Sequence, residues 1–135
     1  MKIIVLCTGN SCRSQMAEAF LKMYDKNLIV YSAGVEAHGL NPYMMKVMSE
    51  IGFDMKGHNS DTMEKYLDYD FDVVLTVCDN AEKKCPFLKG KHKHIHNSFL
   101  DPANSKGDDE SKLKVYREVR DQISLFVKSF VKKLN

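Results

Sequence analysis

Long apolar runs are what this chain has least of. Between Met1-Lys2 and the sequence Cys7-Thr8-Gly9 stand only four apolar residues, Ile3 to Leu6. A secretory signal needs an apolar stretch of roughly 7 to 15 residues, and a membrane span needs about 20. Neither is present, so a cytoplasmic protein with no membrane partner is expected. Charge of one sign is also scarce. The formal net charge of +2 gives no electrostatic reason to expect nucleic acid as a partner. Repeats, linkers and low-complexity segments are absent as well, so the 135 residues are expected to form one domain, 1–135, acting as a monomer. Cysteine is not scarce. In a reducing compartment, Cys7, Cys12, Cys78 and Cys85 point to catalytic, redox or metal roles rather than to structural staples.

The remaining pattern alternates strands with helices. Lys2 to Leu6 (KIIVL) reads as a strand buried on both faces. Ser14 to Tyr24 carries Met16, Ala17, Phe20, Leu21 and Tyr24 at helical spacing. Leu28 to Ser32 is β-branched and aromatic, and Ala33-Gly34 ends it. A helix is expected from Asn41-Pro42 to about Ile51, with Pro42 at its first position. Asp61 is placed as the cap of a short helix from Thr62 to Leu67. Phe71 to Val77 is a third strand and Lys93 to Ile95 a weak fourth. Asp108-Asp109-Glu110 opens a last helix to Leu134, its acids suited to the positive end and its lysines to the negative one. The fold class is therefore α/β, a four-stranded parallel sheet with helices on both faces. Such sheets bind ligands beyond the carboxyl ends of their strands. The first and third strands both run into a cysteine, which puts Cys7 and Cys78 on one rim.

Cys7 and Arg13 bracket the loop Thr8, Gly9, Asn10, Ser11 and Cys12, and Ser14 follows. A loop passing from a strand end into a helix start can turn several N–H groups inward and form an anion nest. Gly9 gives backbone freedom, and Arg13 offers a planar fork to two oxygens. The same positive field favours the thiolate of Cys7 as a nucleophile. Ser14 is placed to hydrogen-bond that thiolate. The simpler alternative is a free cysteine at a strand end near an unrelated arginine.

The stretch CTGNSCRSQMAEA, from Cys7 to Ala19, resembles the low-molecular-weight tyrosine phosphatase superfamily, and within it the thioredoxin-coupled arsenate reductases. YSAGVEAHGLNP (Tyr31 to Pro42), Asp61, VCDNAEKKCP (Val77 to Pro86) and Asp101-Pro102-Ala103 continue the resemblance along nearly the whole chain. It implies that a second thiol, Cys78, attacks the adduct between Cys7 and arsenic. Cys85 then takes over the disulfide, and thioredoxin reduces it. The polar segment Asp79 to Lys84 is expected to unwind on oxidation. The resemblance also makes Asp101 the general acid; otherwise Asp-Pro is an ordinary turn. It implies no tightly bound organic cofactor, and potassium beside the loop at Asn10, Glu18, Ser32 and Asp61. Phosphatases of the superfamily usually have an aromatic residue where Ala103 stands and proline where Gln15 stands.

Three readings follow. The first is reduction of arsenate to arsenite. The second is a tyrosine phosphatase, which uses the same loop on phosphate without the relay. The third is a thiol-based sensor that binds an oxyanion. A metal site at His92, His94 and His96 is set below a lysine-flanked edge strand facing water. Zinc at the cysteines fits their spacing poorly.

Overall fold

The computed structural model describes residues 1–79, 81 and 91–134. Strand β1 (Lys2–Cys7) is the hub of the sheet. Ile3, Ile4, Val5 and Leu6 are all fully buried, which requires cover on both faces because neighbouring strand residues point opposite ways. β2 (Ile29–Gly34) lies on one side of β1, and β3 (Val73–Thr76) and then β4 (Lys93–His96) lie on the other. The order is β2-β1-β3-β4 and every pairing is parallel. This is the sheet expected from the alternating pattern.

Helix α1 (Arg13–Tyr24) packs on β1 and β2 and against the last helix, α3 (Asp109–Leu134). Helix α2 (Pro42–Ser49) rests on α3 as well. Asn41 caps α2, its Oδ1 accepting from the amides of Tyr43 and Met44, and Pro42 stands at the first position. Asp108 Oδ1 accepts from the Ser111 amide 2.8 Å away at the start of α3. Ser32 bonds to α1 through Glu18, so Tyr31, its neighbour along β2, points to the opposite face. There it meets Tyr66, Tyr69 and Phe71 in an aromatic cluster. Met16, Met44, Met48 and Met55 are buried, as gap-filling core residues.

Several boundaries move. β2 runs on through Ala33 and Gly34 because these two pair with Leu6 and Cys7. α2 stops at Ser49 rather than Ile51, with Gly52 in the left-handed region at φ 92°. The turn of 3₁₀ helix at Met63–Tyr66 is preceded by Thr62, not Asp61, and has no side-chain cap. Asp61 is used elsewhere: its carbonyl accepts from Gly34 N–H and its amide donates to Asn10 Oδ1. β4 is an edge strand as expected, but His94 and His96 turn to the Thr76 hydroxyl of β3 at 3.0 and 2.7 Å. His96 also reaches Asp79 Oδ1 at 3.0 Å. Among the described residues, no three His, Cys, Asp or Glu side chains form a metal-holding cluster. No helix among them is long and apolar enough to cross a membrane.

Candidate active site

The loop between β1 and α1 is held from outside. Six consecutive carbonyls, Cys7 to Cys12, each accept a hydrogen bond from a group beyond the loop. Cys7 O accepts from Val35 N, Thr8 O from Glu36 N, Gly9 O from His38 N and Ser11 O from Asn41 N. Asn10 O accepts from Gln15 Nε2 at 3.0 Å, and Cys12 O from Met16 N. In a planar trans peptide the N–H points opposite to the C=O. Carbonyls drawn outward therefore turn the amides of residues 8–13 toward the centre. α1 begins here with no side-chain cap at Cys12, so its first N–H groups also remain for an anion.

Asn10 is the keystone residue. Its backbone sits in the left-handed region at φ 47°, which asparagine tolerates better than most residues. Its buried side chain donates to Ser14 Oγ at 2.8 Å and Ser32 Oγ at 3.0 Å, and accepts from Asp61 N–H at 2.8 Å. Ser32 in turn donates to Glu18 Oε1 at 2.5 Å. Gly34 presses on the loop: a Cβ there would stand 2.7 Å from both Asn10 N and Thr8 O and would collide with Glu36 O. At Gly9 a Cβ would meet only the half-exposed His38 ring, which can move aside, so that position is the less demanding of the two.

Arg13 is nearly buried. Its Nη1 donates to Phe99 O at 3.0 Å, and its Nη2 lies 3.5 Å from Asp101 Oδ2. The expected anion binder and the expected acid are thus brought together by the segment after β4. Asp101 also caps the turn Pro102–Asn104, with Oδ1 accepting from Ala103 N–H. One carboxylate oxygen thus makes the turn and the other faces Arg13. The Asp101 side chain is 35% exposed, so it can exchange protons with solvent.

Cys78 lies just beyond β3 and is buried. Its Sγ is 3.1 Å from Thr8 Oγ1, and Ala81 N–H points to it from 3.4 Å. The second thiol is therefore tied to the anion loop itself. Cys85 lies outside the described residues. Cys7, Cys12 and Cys78 are free thiols. Burial, with Cys7 and Asp101 nearby, pushes the Cys12 thiol far up against the opposing pull of Arg13, so Cys12 stays protonated and serves through its backbone.

Glu18, Ser32 and Asp61 line one depression beside the loop, behind Asn10. Lys22 Nζ is 2.6 Å from Glu18 Oε2 and Lys65 Nζ 3.4 Å from Asp61 Oδ2. A donor set made only of oxygens, two of its side chains acidic, fits a hard cation.

Sequence reasoning missed Ser60, whose hydroxyl donates to Gly9 O at 3.2 Å, and it noted Gln15 only as a departure from proline. Gln15 gave no local signal: it falls with Glu18 and Lys22 on the polar side of α1, and is buried there against His58 and Asn59.

The whole arrangement is that of one family. A model of low molecular weight phosphotyrosine protein phosphatases matches residues 2–135, and the chain belongs to that family. Within it, the chain is 47% identical over 129 residues to an arsenate reductase of Halalkalibacterium halodurans, covering 95% of this chain and 93% of the relative. Among solved structures, an arsenate reductase in its oxidised state superposes with a TM-score of 0.84 at 30% identity, covering 99% of this chain and 98% of the other. An arsenate reductase in a phosphate-binding state gives 0.79 at 31%, with the same coverage.

Proposed function

We propose that this chain reduces arsenate to arsenite. The observation that carries the reading is the contact between Thr8 Oγ1 and Cys78 Sγ, which ties a second thiol to the loop that presents the first. The arsenate reductases among its relatives support it.

Arsenate is held by the amides of residues 8–13 and by Arg13. The Cys7 thiolate attacks arsenic; a sulfur–arsenic bond forms, an arsenic–oxygen bond breaks, and the oxygen takes the Asp101 proton to leave as water. The Ser14 oxygen accepts from Asn10, and its O–H is assigned to the Cys7 sulfur. The Cys78 thiolate then attacks Cys7 Sγ. A sulfur–sulfur bond forms and the sulfur–arsenic pair stays on arsenic, which falls from the +5 to the +3 state and leaves as arsenite. The two thiols are thereby oxidised by two electrons. Cys85 attacks Cys78 in turn, freeing Cys7, and the dithiol of thioredoxin reduces the Cys78–Cys85 bond. Such a relay belongs in a reducing cytoplasm. Potassium would be held by Asn10, Glu18, Ser32 and Asp61, sharing the two carboxylates behind the loop with Lys22 and Lys65.

The nest itself favours a second activity, slow hydrolysis of phosphate monoesters, which needs Cys7, Arg13 and Asp101 but not the relay. Arsenite production with thioredoxin, thioredoxin reductase and NADPH tests the main reading. Wild type is expected to turn over and Cys85→Ser to stop after about one cycle. Unchanged turnover in Cys85→Ser removes the relay; brisk aryl phosphate hydrolysis with no arsenite at all replaces the reading by the phosphatase.

A further inference from the structure

Gln15 stands in the first turn of α1, fully buried, and all of its amide is used. Nε2 donates to Asn10 O at 3.0 Å and to Asn59 O at 2.9 Å. Oε1 faces His58 Nδ1 at 3.2 Å, which fixes the amide's orientation and calls for the Nδ1–H form of the ring. The other five outward carbonyls of the loop are held by backbone amides, which any sequence supplies. Asn10 O alone relies on a side chain, and it belongs to the residue with the left-handed backbone. If that carbonyl is released, the peptide between Asn10 and Ser11 is free to flip, and the Ser11 N–H turns away from the anion.

We propose that Gln15 is a positioning residue for the oxyanion: its amide clamps Asn10 O to Asn59 O and so keeps the Ser11 N–H aimed into the nest. The clamp ties the loop to the segment 58–61, which also supplies Ser60 to Gly9 O and the Asp61 amide to Asn10 Oδ1. Loop and segment thus form one hydrogen-bonded unit with Gln15 as the link buried on the helix side. A proline at this position, as in the related phosphatases, has no donor to offer Asn10 O. In this chain the Gln15 amide holds that peptide instead. The inference rests on the anion-loop reading above.

The test is binding of inorganic phosphate to the reduced protein, followed by the Ser11 amide resonance, together with steady-state arsenate kinetics and Tm. Gln15→Leu keeps the shape and loses the donors; Gln15→Glu keeps a polar end that, when ionised, only accepts. Phosphate affinity is expected to fall about tenfold in Gln15→Leu, the scale of one hydrogen bond to a buried acceptor, and further in Gln15→Glu. The arsenate KM is expected to rise in step, with kcat changing much less. A merely structural glutamine would lower Tm and leave phosphate affinity and the Ser11 shift as in wild type, and that result overturns the proposal. If Gln15→Leu does not fold, Gln15→Glu decides on the same readouts. Should wild type itself not bind phosphate, it is the anion-loop reading that fails; wild-type binding with unaltered variants rejects only the role of Gln15.

Discussion

The Thr8 hydroxyl and the Cys78 sulfur are 3.1 Å apart, one residue past the first thiol and two past the end of the neighbouring strand. In the proposed relay, this contact joins the loop that captures the anion to the thiol that exchanges electrons. Thr8→Val keeps the branched shape and the outward Thr8 carbonyl but removes the hydroxyl. Arsenite release in a single turnover is expected to slow about tenfold, the upper end of what one hydrogen bond contributes. Aryl phosphate hydrolysis should stay within about twofold of wild type. Equal losses in both assays would mean that Thr8 serves the loop and not Cys78.

Asp101 is expected to matter in proportion to how poor the leaving group is. With alkyl phosphate, Asp101→Asn should lower kcat by about 100-fold or more. With nitrophenyl phosphate, whose leaving oxygen needs little help, the loss should be markedly smaller. A loss independent of leaving group would place Asp101 in orienting Arg13 instead.

Gly34 is predicted to be irreplaceable for spatial reasons. Gly34→Ala puts a methyl group 2.7 Å from Asn10 N and Thr8 O, so the loop must shift. A stability loss of about 1–3 kcal/mol is expected from overpacking, with phosphate binding weakened beyond what that loss explains. Chemical denaturation and a phosphate titration measure the two effects separately.

Glu50 offers a pH-dependent contribution far from the chemistry. Its carboxyl is held below the usual range, first by hydrogen bonding to Arg117 and then by the charges of Arg117 and Arg120. A carboxyl depressed in the folded state binds fewer protons there than in the unfolded chain. Its stabilisation is therefore present above the ordinary carboxylate value and fades as pH falls through the folded one. The Tm gap between wild type and Glu50→Gln should be open at neutral pH and close in acid. A gap that persists in acid would mean that the charge on Glu50 is not what stabilises.

The sheet was legible because β1 is a continuous apolar run and the cysteines sit at strand ends. The loop was legible because its parts are contiguous in sequence. What was not legible arises from pairing at a distance. Asp61 looked like a helix cap by local spacing, yet its amide and carbonyl are both claimed by partners 27 or more residues away, Asn10 and Gly34. The three histidines alternate as on any edge strand, and nothing local says that two of them share the Thr76 hydroxyl. Ser60 and the Phe99 carbonyl enter the site only through the fold.

The outward carbonyls of Cys7, Thr8 and Gly9 bond to the chain just after β2, while Cys78 and Asp79 belong to the β3 and β4 side. The backbone of the loop therefore hangs from one flank of the sheet, while Arg13, through Phe99 O, and Thr8, through Cys78, are tied to the other. The nest sits astride β1 like a saddle, and a disturbance on either side of that strand reaches it.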